Sequence, residues 1–418
     1  MVCLLLLSLS LRLGWWGYTR PVPVSDFKEF AILAQDLLEH GQFGYPDPTA
    51  YRLPGYPLFL AAMMFVGIPA PWLAVTSILL SAATTYVIHR FALALTQDSQ
   101  LAITAGVIHS INPTFIAFSP VLAAEHLYVL LVLLAFCSLL TGPHTRRNSL
   151  DIRTVLAGIL LGGATLTRGE GLFLLPVFLL VILLRKDAIW RRCYRCLLLL
   201  VCCAAVVIPW SVRNNRRVGP ASGLSTTGGI NFYYAHNSTS YGWQGIENTP
   251  LAAIPETNRQ QAGYRLGMEY LAQASWFERA MGPIKGTGYL YFAPSTYAVT
   301  WSSTRLRLQE PTPTAPGWHA NLKWYSTLAY GYYILFAAAL WGALKLPRFR
   351  FTVPVVLCGT AVVNWIGYAV IFWAKSRYRY LPEMMFCILA SIPFSSYGST
   401  RRTSNEQKRR PAGSKHST

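Results

Sequence analysis

The chain has 418 residues, 53 % of them hydrophobic and only 13 % charged. A soluble globular protein carries about 25 % charged residues. This shortfall, with a mean hydropathy of +0.34, excludes a soluble enzyme and a disordered chain and points to the bilayer as the main solvent. Lys and Arg number 36 against 17 Asp and Glu, a formal charge of +19. The basic residues mostly punctuate apolar runs, so membrane lipid rather than nucleic acid is the expected partner.

A membrane helix needs about 20 apolar residues. In chain order the candidates are 1–17, 71–95, 99–118, 121–140, 152–168, 170–185, 196–212, 324–345, 352–373 and 380–397. The first is interrupted by Arg12 and lacks a small-residue cleavage site, so it reads as a membrane helix and not as a signal peptide. Segment 57–68 is too short to span and is expected to be interfacial or re-entrant. Residues 18–56 form a first loop and 213–322 a single large one. The expected division is 1–212 as an N-terminal membrane core, 213–322 as a loop region, 323–398 as C-terminal membrane helices, and 399–418 as a disordered basic tail. With the N-terminus inside, the short loops near Arg90, 141–153, 185–195 and 345–350, together with the tail, hold 18 of the 36 basic residues. The short turns on the other side carry only Arg168. Both larger loops are then expected outside the cytoplasm, at the plasma (inner) membrane.

The first loop contains SDFKEFAILAQDLLEHG, with Phe27, Phe30, Ala31, Ala34, Leu37 and Leu38 at helical spacing. Ser25 is the expected N-cap and Gly41 the stop. Asp26 falls in the first turn, where a carboxylate complements the helix dipole and could also act chemically. Arg52, in TAYRLPGYPLF, sits between a polar loop and an apolar run. A guanidinium at headgroup depth either snorkels or pairs with a phosphate. Glu125 lies about a turn inside a membrane helix. Arg168 and Glu170 mark one junction, and Arg377 and Arg379 another. Ionisable groups at such depth are expensive and face a cavity or each other. For these the structural alternatives are an Arg168–Glu170 ion pair and an aromatic-and-basic interfacial anchor at 377–380.

The large loop opens with PWSVRNNRRVGPASGLSTTGGINFYYAHN, rich in Gly, Ser, Thr, Asn and aromatics. That composition suits sugars and equally describes any ordered irregular loop. Asn237-Ser238-Thr239 is a formal glycosylation sequon. Of the eight cysteines, Cys193-x-x-Cys196 is a lone pair without further ligands nearby, and no paired-histidine metal spacing occurs. No protein-held metal and no cofactor are expected.

The motifs together resemble a known family. VSDFKEFAILAQDLLEHGQF, AYRLPGYPLFLA, INPTFIAFSPVLAAEHLYVLL, LAGILLGGATLTRGEGLFLLP, VIPWSVRNNRRVG with STTGGINFYYAHN, and SRYRYLPE follow the order of the GT-C glycosyltransferases related to protein O-mannosyltransferases and aminoarabinose transferases. The resemblance spans roughly 25 to 385. It implies an all-α polytopic bundle of about ten transmembrane helices, with amphipathic helices in the first outer loop and one larger outer loop. It also implies transfer of a hexosyl or pentosyl group from a polyprenyl-phosphate carrier to a lipid, glycan or protein acceptor at the extracytoplasmic face. The family's first-loop acid matches Asp26, and its basic residue before the proline turn matches Arg52. Arg168 and Arg377 become further candidates for the donor phosphate. Glu125, Glu170, Tyr56 and Asn231 become candidates for holding the acceptor or organising the site. Phe27 follows Asp26 where many mannosyltransferases have a second acid, which favours a lipid or polysaccharide acceptor over a protein.

Leaving-group chemistry then suggests a mechanism. A departing phosphate needs charge stabilisation, which arginines supply. An attacking hydroxyl needs a base, which one carboxylate supplies. Inverting single displacement is the expected course. The rival reading is a transporter or flippase of lipid-linked sugars, which would show internal repeats and mid-membrane polar sites. No repeat is visible in the sequence.

Overall fold

The computed structural model describes residues 1–141, 147–238, 246–308 and 324–395. The tail 399–418 lies outside the described residues, as does part of the expected 141–153 loop. All regular structure among the described residues is helical. Each of the ten apolar runs falls on one helix or on two short ones in line: α1 (Val2–Thr19), α4 (Leu73–Thr96), α5 with α6 (Ser99–Ile111, Pro113–Phe118), α7 (Ala124–Leu140), α8 (Arg147–Thr167), Gly169–Leu174 with α9 (Leu175–Leu183), α10 (Ile189–Arg217), Trp324–Tyr330 with α16 (Gly331–Ala343), α17 (Thr352–Trp365) with Ile366–Ile371, and α18 (Tyr380–Ser391). Four stretches are by themselves long and apolar enough to cross a bilayer: Val2–Thr19, Ala70–Thr96, Ile189–Arg217 and Thr352–Ile371.

The first loop holds α2 (Asp26–His40), and the short apolar segment forms α3 (Gly55–Phe65) packed on it. Gly41 ends α2 in the left-handed region at φ 64°, where glycine carries no Cβ penalty. Ser25 does not cap α2 as expected. Its φ is 50° and its side chain makes no capping bond. An N-cap residue sits in the β region, and positive φ turns Oγ away from the first amides. The large loop is not irregular. It folds into α11 (Thr227–Ala235), α12 (Glu256–Gln273), α13 (Trp276–Thr287), α14 (Thr296–Ser302) and α15 (Thr304–Leu308).

The bundle is held by close helix crossings. α8 packs between α7 and α10. A Cβ on its Gly158 would stand 2.8 Å from Cys202 Cβ of α10, and one on Gly162 2.7 Å from Val206 Cβ. This small-xxx-small spacing lets two backbones approach, the usual source of cohesion where lipid removes the hydrophobic drive. Arg12 does not snorkel from α1. It turns inward, fully buried, with Nε on Ser81 Oγ at 2.9 Å and Nη1 on Ser8 Oγ at 2.7 Å and the Ser110 carbonyl at 3.2 Å. Neighbouring helices thereby satisfy a charge that lipid would not.

Candidate active site

α2 lies at one end of the bundle, and there the chain repeatedly returns. α7 begins, α8 ends, Gly169–Leu174 follows, α17 and its extension end, and α18 is preceded by the turn Ser376–Arg379. A cavity of about 390 Å³ opens between these ends and the large loop. Asp26, Arg52, Glu125, Arg168, Glu170, Arg377 and Asn231 all line it.

The charged residues form one continuous chain of contacts. Arg52 Nε donates to Glu29 Oε2 at 2.7 Å, and its Nη2 donates to Asp26 Oδ1 at 2.6 Å. The other Asp26 oxygen, Oδ2, accepts from Arg377 Nη2 at 2.8 Å. Arg377 Nε stands 3.2 Å from Glu125 Oε1. Arg168 closes the chain, with Nη1 to Glu125 Oε1 at 2.5 Å and Nε to Glu170 Oε1 at 2.9 Å. Four carboxylates therefore share three guanidiniums. The Arg168–Glu170 ion pair exists, but as one link in this chain. Arg377 is not merely an interfacial anchor, since it bridges α2 to α7.

Local sequence explains each placement. Asp26 and Glu29 are three residues apart on α2 and so share a face. Glu29 was missed in the sequence, although that spacing pointed to it. Arg52 is pinned between stacking partners, its guanidinium 4.8 Å from the Tyr51 ring and 5.8 Å from that of Phe30. The segment before it is clamped by the large loop. Glu256 Oε1 accepts from the Ala50 amide at 2.9 Å, from Thr49 Oγ1 at 3.0 Å and from Thr226 Oγ1 at 3.0 Å. Arg213 Nη1 donates to the Thr49 carbonyl at 2.7 Å. Tyr56 is not brought to the cavity. It is fully buried against Phe30, and its hydroxyl is 3.0 Å from Ser77 Oγ on α4. Tyr56 belongs to the first turn of α3, which packs on α2 and α4, whereas Arg52 precedes that helix.

Burial alone would raise the Asp26 pKa. Arg377 and Arg52, with help from Lys375, outweigh it and hold the carboxyl well below the ordinary range. Burial pushes the Lys375 ammonium down to about 7, Arg377 adds to the effect, and Asp26 opposes it. Lys375 also lies 3.9 Å from the Trp373 ring centre. Among the described residues no three His, Cys, Asp or Glu side chains converge as metal ligands would.

A membrane-embedded helical bundle with its charged cavity at one end defines a class. The fold is that of solved oligosaccharyltransferase structures. The chain aligns with the oligosaccharyltransferase of Archaeoglobus fulgidus in the apo form at a TM-score of 0.53 and 14 % identity, over 100 % of this chain and 52 % of that one. It aligns with AglB from the same organism, in complex with an inhibitory peptide and a dolichol-phosphate, at 0.54 and 13 %, over 100 % and 52 %. ArnT from Cupriavidus metallidurans, bound to undecaprenyl phosphate, aligns at 0.48 and 12 %, over 97 % and 79 %. The chain thus spans about half the length of the archaeal chains it matches. The family model described as dolichyl-phosphate-mannose-protein mannosyltransferase matches residues 59–218, a stretch that includes Glu125, Arg168 and Glu170. No curated protein matches.

Proposed function

We propose that this protein is a glycosyltransferase that moves a sugar from a polyprenyl-phosphate donor to a lipid, glycan or protein acceptor at the extracytoplasmic face of the plasma membrane. The observation that carries the reading is Asp26, held between Arg52 and Arg377 on the wall of a cavity at one end of the bundle. The dolichyl-phosphate-mannose donor in the matched family's description and the dolichol-phosphate bound to the aligned AglB support it. The distribution of Lys and Arg supports the outward orientation. A flippase would want its polar groups along the bundle's middle, whereas this cluster sits at its end.

Arg52 and Arg377, with Arg168 behind them, take the donor phosphate. The phosphodiester oxygens compete with the carboxylates for the same guanidiniums, which pair with either anion. Once the phosphate takes these donors, Asp26 loses the contacts that depress its pKa and becomes a better base. Donor binding and base activation are in this way one event. The acceptor hydroxyl then gives its proton to Asp26 as its oxygen bonds the anomeric carbon. The bond from that carbon to the phosphate oxygen breaks with its electron pair, and the polyprenyl phosphate leaves on the arginines. Glu125 is only 3 % exposed and shared by Arg168 and Arg377, so it is poorly placed as the second carboxylate that double displacement needs. The product is expected to be inverted. Glu125 and Glu170 hold the arginines in place.

Native mass spectrometry of the purified protein provides the test. A retained polyprenyl phosphate, exchangeable for polyprenyl-phosphate mannose, is expected. A folded protein that takes up neither lipid would overturn the reading.

A further inference from the structure

The cavity has two unlike walls. Every charged residue that lines it comes from the first loop or from the bundle's helix ends. The share contributed by the large loop carries no charge: Ser225, Thr227, Asn231, Gln260 and Tyr264 are its polar members. We propose that this neutral wall is the subsite for the donor's sugar, and that it selects an uncharged polyhydroxylated ring through Asn231, Gln260 and Tyr264. The inference rests on the phosphate reading above and adds the class of glycosyl group.

The first argument is hydrogen-bond accounting. The side chains of Asn231, Gln260 and Tyr264 bond no described residue, and Gln260 Oε1 is buried without a partner. Asn214 and Asn237 show the usual pairing, with Asn214 Nδ2 donating to the Gly223 and Leu224 carbonyls and Asn237 Nδ2 to that of Tyr233. Polar groups withdrawn from water are normally paired. Gln260 Oε1 is such a group left without a partner, and the half-buried side chains of Asn231 and Tyr264 on the same wall are open to a ligand with many hydroxyls.

The second argument is rigidity. α11 and α12 cross almost backbone to backbone. A Cβ on Gly229 would lie 2.0 Å from the Gln260 carbonyl oxygen, and one on Gly263 2.3 Å from the Gly229 oxygen. This crossing puts Asn231, two residues past Gly229, and Gln260, three before Gly263, on one wall. Tyr264 Oη would be 2.7 Å from a Cβ on Gly228, so glycine there lets the hydroxyl reach the cavity. Glu256, at the start of α12, ties this wall to the Thr49–Ala50 segment that carries Arg52. The amides therefore stand at a set position relative to the phosphate ligands. Phe372 and Tyr368 are among the aromatic members of the lining and offer apolar faces to a ring's C–H groups, the usual composition of a small-molecule site.

The third argument is charge. An amino sugar would need a carboxylate partner on the wall that faces it, and the large loop's share of the lining offers none. An acidic sugar would need a cation, and this wall has none. A hydroxyl recognised by an open amide leaves that amide unpaired when the hydroxyl is missing or replaced, which is how such sites discriminate.

The experiment measures dissociation constants of the full-length protein in nanodiscs for polyprenyl phosphate, polyprenyl-phosphate mannose and polyprenyl-phosphate 4-amino-4-deoxyarabinose. Wild type is expected to bind the mannosyl lipid more tightly than the bare lipid and than the amino-sugar lipid. Asn231→Ala and Gln260→Ala should each lose about 2- to 12-fold of that preference, the worth of one neutral hydrogen bond, while keeping bare-lipid affinity, which also shows that they fold. Gln260→Glu should move the preference toward the amino sugar. Equal wild-type affinity for bare and mannosyl lipid overturns the inference alone. So does an unchanged preference in both alanine variants, including the case where they raise only the KM for acceptor. Failure of wild type to bind any of the three lipids would instead overturn the phosphate reading beneath it.

Discussion

Arg377 and Arg379 stand on one turn of the chain and have opposite surroundings. Arg379 is completely buried. Its Nε donates to Glu383 at 2.7 Å, its Nη1 to the carbonyls of Leu290 at 2.8 Å and Ala293 at 2.6 Å, and its Nη2 to Ser295 Oγ at 2.7 Å. Its guanidinium also lies 3.4 Å from the Tyr332 ring centre. A carboxylate, two carbonyls and a hydroxyl take up these donors, and the side chain lies away from the cavity, out of a ligand's reach. Arg377 keeps 14 % of its side chain exposed and holds carboxylates on a cavity wall. Ion pairing therefore does not separate the two. Arg379 is a staple between α18 and the large loop, and it fixes the turn that aims Arg377. Arg377 is the exchangeable member, because its partners are anions that another anion can replace.

The sharpest way to break this distinction is at Asp26. Asp26→Asn keeps the size but cannot take a proton, and turnover with a lipid-linked donor should fall by about 10²–10⁴. Donor affinity should hold or improve, since a competitor for Arg52 and Arg377 has been neutralised. Near-normal turnover in the purified variant would remove Asp26 as the base, and weakened donor binding would refute the competition. The staple is tested next. Glu383→Ala strands the buried Arg379, and losing one partner of a buried pair costs roughly 3–5 kcal/mol. A much lower melting temperature is expected, whereas Arg377→Ala should melt close to wild type. Equal melting of the two variants would erase the difference between them.

A smaller effect is expected on the ligand side. Arg377→Ala and Arg52→Ala should each weaken polyprenyl-phosphate binding by about 1.5–3 kcal/mol, typical of a hydrogen bond to a charged group. The lysine variants should recover only part, because an ammonium lacks the planar fork. Unchanged affinity in either alanine variant would take that arginine out of the phosphate site. The smallest effect is in pH. Lys375 has a pKa lowered to about 7, so it gains its proton as pH falls through neutrality, and a nearby phosphate favours the protonated form. Donor affinity should rise a few-fold as pH falls through about 7 and decline as pH rises through it. Asp26, held well below the ordinary carboxylate range, stays ionised throughout and adds no limb there. Lys375→Met should flatten the profile, and a slope that survives this substitution would assign it to another group.

Several levels of this protein were legible in its residues. The membrane helices could be read because burying a backbone in lipid demands long apolar runs, and α2 because its apolar residues recur at the helical period. Asp26, Arg52, Glu125, Arg168, Glu170 and Arg377 stood out because charge beside lipid is expensive and needs a reason. Apart from Arg168 with Glu170, two residues away, their pairing was not legible. Asp26 and Arg377 meet across 351 positions, and nothing local says which acid an arginine will find. The described part of the large loop concealed five α-helices, because they are buried on small patches against one another and against the bundle, with too many polar residues to show a clear period. Tyr56 looked like a site residue from its motif, but the turn of α3 sends it to Ser77. Asn231 stood out only through its motif, and Gln260 is an ordinary loop amide in the sequence. Only the Gly229–Gly263 crossing, a contact between two backbones, sets them on one wall opposite the arginines. Chemistry that depends on a residue's own cost in lipid is written locally. Chemistry that depends on which groups face one another is decided by packing.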